Sequence, residues 1–436
     1  MNETAGDHRP GSPLIARIAV DFVTTSVSRV LVLVGTLAVC FAPIASSGQE
    51  RATRLTLDDA LRLAERENPT LRAKRFELDV TRAGEITAGL RPNPSASYTA
   101  EKFGATAQEY TVTVGQTIEL GGKRARRLDS ARAATRVTRF EVDDIRRQVF
   151  AQVKKTFTDV LVARATLVLA EQTLKTLDDV ERIQRFRAER GDISELELTR
   201  IQLQRFTFER DAADARQAIA ATTIALRALV GAASVAPDVE VLGDLGFRDV
   251  GVSRDEAVQR ALTARPDLQA AEAARDKAKA DVALARANAK WDITPQLEYK
   301  RTDTNDNTFG FGLSLPLRIF DRNQGEIART QAEVERVTAQ RDATVAQIVS
   351  EIETVLAAVT TLRQRVESLR NVYLPKAEQA RNTVEFAYRR GGVSLLDFLD
   401  AQRTYRETSL EHLRALGNYW TVLYQLEAAI GGPVEK

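Results

Sequence analysis

A chain of 436 residues with 62 Lys plus Arg against 60 Asp plus Glu carries a formal net charge of only +2, although 28% of its positions are charged. That balance argues against nucleic acid as a partner, which calls for basic charge gathered on one face. With one Cys (Cys40) and two His (His8, His412), few metal clusters, disulfide frameworks or Cys/His catalytic centres can be built, so no metal site, cofactor or enzymatic activity is expected.

Residues 30–45 (VLVLVGTLAVCFAPIA) form an uncharged apolar run behind Arg9, Arg17 and Arg29, with small residues around Ala45, Ser46 and Ser47 after it. The run is short for a membrane-spanning helix, and residues 1–47 read as a secretory signal peptide with a long basic leader. Two fates fit Cys40: removal with the leader, or lipid attachment, against which Val39 stands where such signals prefer a small residue. No other long apolar stretch is expected after the leader, so membrane residence must come from strands.

The rest of the chain reads as two copies of one unit, 48–231 and 253–436, joined by an extended linker at 232–252. Arg190-Gly191-Asp192-Ile193-Ser194-Glu195-Leu196-Glu197 lies over Arg390-Gly391-Gly392-Val393-Ser394-Leu395-Leu396-Asp397. Leu229-Val230-Gly231 lies over Ala429-Ile430-Gly431, and Asn68-Pro69 over Arg265-Pro266 at a slightly shorter offset. Each unit runs from helix through two strands and a very long helix to a tight Gly turn and a return helix. In the first, Tyr110, Val112, Val114, Ile118 and Leu120 alternate with polar or small residues. In the second, Ile293, Pro295, Leu297 and Tyr299 do so, then Phe309, Phe311, Leu313, Leu315, Leu317 and Ile319 after the polar turn 302–307. Period two over such lengths fits tilted strands crossing a bilayer and fits equally a half-buried hairpin of a soluble domain.

From Lys123 to Glu189, and again from Gly325 to Arg389, almost nothing interrupts a helical pattern, so each helix extends over about 65 residues or roughly 100 Å. Val345, Ile348, Ile352, Val355, Val359, Leu362, Val366, Leu369 and Tyr373 make a heptad seam, and Pro375 should kink the second helix. The flanking helices, roughly 56–89 and 195–229 in the first unit, would cover a long one if stacked end to end. Four strands per chain cannot close a sheet in lipid, since known barrels start at about 8. A dimer would reach that number with too narrow a bore, whereas three copies give a 12-stranded barrel and a ring of paired helices.

Taken together with Ile118-Glu119-Leu120-Gly121-Gly122-Lys123-Arg124, the LPLRIFDRNQGEI run at 315–327 and the YRRGGVSLLDFLDAQ run at 388–402, this unit resembles the TolC-type outer-membrane efflux family, in its CzcC-like heavy-metal branch. The resemblance spans about Leu55 to Gly432. It implies a mainly α fold with a membrane β-barrel: a homotrimeric 12-stranded barrel in outer-membrane lipid, continued by a long periplasmic α-helical barrel. Its implied partners are a periplasmic adaptor and an inner-membrane resistance-nodulation-division pump, and its implied role is a passive duct in a tripartite efflux system. The competing reading is a periplasmic coiled-coil adaptor or structural protein of an envelope complex.

The turns at Gly191, Asp192 and Ser194 and at Gly391, Gly392 and Ser394 lie at the tunnel end far from the strands, where the resemblance implies the adaptor docks. It also implies a channel gate there, with Asp397 and Asp400 ringing the constriction, Tyr388 helping to hold it closed and Glu197 at the acidic partner position; the family's gate arginine falls on Val393. The residues alone say that Asp397 and Asp400, three apart, share a helix face and in a trimer become rings of carboxylates that favour cations. Crowding should raise some of their pKa values. They also fit a salt-bridged pair, with Arg200 as a candidate partner. Gly121-Gly122-Lys123-Arg124 lacks the phosphate-loop spacing and, with Arg126 and Arg127, marks the strand-to-helix junction. Trp291, Tyr299, Tyr98 and Phe103 are candidates for an interfacial aromatic girdle. His412 stands alone on its helix.

Overall fold

The computed structural model describes residues 52–101, 109–191, 193–302 and 306–434; the leader with Cys40, Phe103, Asp192 and part of the 302–307 turn lie outside them. The chain runs β1 (Ala52–Leu55), α1 (Leu57–Glu67), α2 (Pro69–Gly89), β2 (Ser95–Glu101), β3 (Glu109–Gly115), α3 (Lys123–Glu189) and α4 (Glu195–Val230). After β4 (Val235–Val241) come α5 (Arg254–Ala264), α6 (Pro266–Asn288), β5 (Thr294–Thr302), β6 (Asn307–Ser314) and α7 (Gln324–Ser368), then a π-turn (Leu369–Tyr373), α8 (Leu374–Arg389) and α9 (Leu395–Ile430).

The helix expected over 56–89 is in fact two. Pro69 has no N–H to give and forces Asn68 into an extended conformation (φ −60°, ψ 124°), which ends α1 and caps α2: Asn68 Oδ1 accepts from Leu71 N at 3.0 Å. Asn68 Nδ2 donates to the Leu229 carbonyl at 2.8 Å, bringing the end of α4 against the end of α1. A Cβ on Gly231 would sit 2.6 Å from Glu67, so this butt joint admits only glycine. Arg265-Pro266 repeats the arrangement, with Arg265 donating to the Ala429 carbonyl at 3.2 Å and Gly431 against Ala264. Half-length helices thus stack end to end, α2 and α4 along α3, and α6 and α9 along the second long helix.

That second helix is interrupted just before Pro375. The proline cannot donate to the carbonyl four residues back, and the helix widens into the π-turn, with Leu374 N bonding Leu369 O. The seam stops there: Ile348, Ile352, Val359 and Val366 are buried in one cluster with Tyr419 and Leu423, whereas Tyr373, expected to continue the seam, falls in the π-turn and is 59% exposed. The seam also gives one stretch of Gln324–Arg389 a mean hydropathy of 1.4, apolar enough by length and composition to cross a membrane. The expectation that no such stretch follows the leader therefore does not hold by composition.

The four-stranded sheet is antiparallel in the order β2-β3-β5-β6. Its strands are shorter than the alternating pattern, because past Ser314 comes Pro316, which cannot pair, and past Gly115 only a bridge between Ile118 and Ile293 persists. Register puts Tyr98, Val112, Leu297 and Phe311 on one face and Ser97, Thr113, Glu298 and Gly310 on the other. The apolar face is open: Tyr98 is 65%, Leu297 66% and Phe311 73% exposed. Below the sheet, Lys123 is buried on Asp292 (2.6 Å), and Arg127 grips Glu119 with both amino nitrogens while donating to the Ala88 and Leu90 carbonyls. The basic cluster thereby locks strand to helix.

The segment 232–252 is no free linker. Within it, β4 pairs in parallel with β1, and Val235, Val239 and Val241 are buried against Val149, Val153 and Phe157 of α3.

Candidate functional site

At the end away from the sheet, α3 turns into α4 and α8 into α9. Gly191 (φ 77°) and Gly391 (φ 76°) take the left-handed conformation that ends each long helix, their N–H groups returning to Ala188 O and Tyr388 O at 3.0 Å. Asp192 lies outside the described residues.

The two N-caps then diverge. Ser394 Oγ accepts from Asp397 N (3.2 Å), while the Asp397 carboxylate accepts from Ser394 N (3.1 Å) and Oγ (2.7 Å), a reciprocal cap. These bonds hold the Asp397 carboxyl below its ordinary value. Ser194 makes no side-chain cap bond although Glu197 stands at the equivalent position, so that carboxylate is left for other work.

Beneath the turns, Tyr388 is buried and stacked on Phe398, ring centres 4.9 Å apart at 15°, in a cluster with Leu177, Val180, Ile201, Phe208 and Leu395. Its hydroxyl accepts from Gln184 Nε2 at 2.6 Å, tying α8 to α3. Burial, helped by the negative charge of Glu197, pushes the phenol up to about 12, so it stays neutral. Glu197 thus lies near enough for its charge to reach the phenol, without a hydrogen bond between the two. Asp400 is exposed and pairs with Arg403 one turn on, not with Arg200.

Two contacts had little or no signature in the sequence. Arg406 of α9 reaches Asp211 of α4, both largely buried, joining two return helices 195 residues apart. Glu181 collects Arg185, Arg205 and Gln202; burial alone would raise its pKa, but those bonds hold it below the ordinary value. Only the i,i+4 spacing to Arg185 was there to be read.

The Outer membrane efflux protein family model matches residues 60–232 and again 257–432. The chain belongs to that family. The cobalt-zinc-cadmium resistance protein CzcC of Cupriavidus metallidurans is 30% identical over 387 residues, covering 88% of this chain and 91% of the relative. Among solved structures, a membrane protein from Pseudomonas aeruginosa superposes with a TM-score of 0.75 at 20% identity, covering 86% of this chain and 92% of that one. The open-state MtrE outer membrane channel of Neisseria gonorrhoeae gives 0.72 at 19%, covering 87% and 89%. At those identities the structures speak for the shared fold alone. The family, with its outer-membrane location, is that expected from the sequence.

Proposed function

We propose that this protein is the outer-membrane duct of a tripartite efflux system, a homotrimer that passively carries solutes across periplasm and outer membrane and catalyses no reaction. The observation carrying it is one chain that joins a four-stranded sheet, apolar and bare on one face, to a helix of 67 residues, roughly 100 Å at 1.5 Å per residue. A periplasmic adaptor would have use for the helices but none for a bare apolar sheet in water, which disfavours the competing reading.

In the proposed assembly three sheets close into a 12-stranded barrel with Phe311 and its neighbours in lipid and Glu298 and its neighbours lining the bore. The units 48–231 and 253–436 are duplicates, a reading supported by the family model's matching twice. The adaptor meets the tip turns, and a resistance-nodulation-division pump supplies the energy. From the CzcC relative we extend heavy-metal cations to this chain as its solute.

Tyr388 and Glu197 set the tip's packing in this account, and Asp397 and Asp400 present carboxylates that become rings around the three-fold axis. The test is planar-bilayer recording: Asp397→Ala with Asp400→Ala should relieve block by divalent cations severalfold, and unchanged block would rule the rings out as the cation filter.

A further inference from the structure

The four passages between helices and sheet, 89–94, 116–127, 286–293 and 315–324, carry nine Lys and Arg against three Asp and Glu, in a chain whose charges otherwise nearly cancel. Hydrogen bonds hold the passages at one level: Leu120 N donates to Asp292 (3.0 Å), Gln116 Nε2 to the Pro92 carbonyl (2.9 Å) and Asn323 Nδ2 to the Ala285 carbonyl (2.7 Å). The three carboxylates are engaged within that level, Asp292 with Lys123, Glu119 with Arg127 and Asp321 with the Asn323 N–H. Arg126 reaches Asp129 on α3. Among the described residues the other six cations, Arg91, Arg124, Arg286, Lys290, Arg318 and Arg322, have no carboxylate at ion-pair distance, whereas Arg329 and Arg336, farther along α7, each hold one. The same level is also apolar and bare. Phe320 is 90% and Leu317 70% exposed, and Ile319 and Trp291 are exposed too. Leu317 and Ile319 keep the parity of Phe309 and Phe311 on β6, and Trp291 that of Leu297 on β5, so the apolar face of the sheet runs on into the cationic level.

We propose that this level is a collar for anionic phospholipid: its unpaired guanidinium and ammonium groups take the headgroup phosphates of the periplasm-facing leaflet, and its bare apolar side chains lie against the acyl chains. The outer-membrane location of the family supplies the leaflet. The order of the surface names the occupant, because a face that is apolar along the sheet and cationic at its helix end matches an anionic amphiphile oriented as in a bilayer. This rests on the reading that the apolar sheet face lies in lipid, and it adds the headgroup class that the protein selects. Long Lys and Arg stems let the charges reach a phosphate plane while their methylenes stay on apolar surface. Each cation near an anionic surface adds attraction, and a guanidinium forks onto two phosphate oxygens at once.

The experiment uses the full-length protein, delipidated in detergent, and three probes: phosphatidylglycerol, phosphatidylcholine with the same acyl chains, and inorganic phosphate. Native mass spectrometry counts the lipids bound. Phosphatidylglycerol should bind about tenfold more tightly than phosphatidylcholine, and salt at about 1 M should shrink the difference. Lys290→Gln with Arg318→Gln and Arg322→Gln should weaken phosphatidylglycerol by about tenfold and leave phosphatidylcholine unchanged, whereas Leu317→Ser with Phe320→Ser should weaken both lipids alike. Excess inorganic phosphate at matched ionic strength should displace neither. Equal binding of the two lipids, or a triple variant that binds like the wild type, overturns the collar. So does displacement by inorganic phosphate, which makes the level a site for free anions, and so does a triple variant that dissociates into monomers, which makes the cations a contact between copies of this chain. The lipid-facing reading of the sheet is scored separately: brominated acyl chains should quench a tryptophan placed by Phe311→Trp in a chain carrying Trp291→Phe and Trp420→Phe, and an unquenched tryptophan sinks that reading whatever the headgroup result.

Discussion

Asp397 serves two ends that pull its proton affinity in opposite directions. Within one chain its carboxylate caps α9 through Ser394, which favours the charged form; in a ring of three, like charge would favour the neutral form. Because its folded pKa is depressed, the cap's contribution is present above the ordinary value of 3.8 and lost as pH falls through the lower folded value. Asp397→Ala should loosen the start of α9, read as faster amide exchange confined to the tip. His412 runs the other way in charge. Among the described residues its buried Nδ1 has no hydrogen-bond partner, and burial, then the charge of Arg370 on the π-turn, lower its pKa. The neutral form is favoured by folding, so stability should fall as pH drops below the ordinary 6.5, where only the unfolded chain takes up the proton. The melting temperature of His412→Gln should be flatter over that window than that of the wild type. The sequence marked His412 as solitary, but nothing in it told that the side chain faces a π-turn.

Among elements, the long ones were legible and their interruptions were not. The run from Lys123 to Glu189 contains no proline or glycine and folds as one helix with those bounds. Asn68-Pro69 and Arg265-Pro266 carried a readable signal, an N-cap or pre-proline residue before a first-turn proline, yet the apolar pattern on either side hid it. What no pattern could show is that these breaks double as sockets for the far ends of α4 and α9. Arg265 is 4% exposed and serves Asp267, Glu351 and the Ala429 carbonyl at once. Its replacement by Ala leaves two carboxylates and a carbonyl short of a donor. Arg265→Ala should therefore cost about 2 kcal/mol, discounted for the partial exposure of both carboxylates, and more than Asn68→Ala at about 1 kcal/mol; chemical unfolding of the detergent-solubilised protein ranks the two.

For the whole molecule, a bare apolar sheet face sets the terms. Alternation along β3, β5 and β6 announced that face in the sequence, and the register preserves it; the strand ends were overread because Pro316 terminates pairing while the alternation runs on to Ile319. A charge placed on the face should be resisted by lipid. Phe311→Lys should cost about 2–4 kcal/mol if it sits near the bilayer midplane and should lower the yield of membrane-inserted protein, with Glu298→Lys on the opposite face inserting normally. Sedimentation of the detergent-solubilised protein should return three copies of the chain.

The parallel pairing of β1 with β4 threads the start of the first half through the passage to the second, and Val239 and Val241 finish an interior that the first half opens at Val149. A seam for cutting the protein in two therefore lies after this ribbon. Fragments co-expressed with a break beyond Gly243 should find each other and assemble, whereas a break at Gly231 strips the first fragment of its own lining and should leave it insoluble.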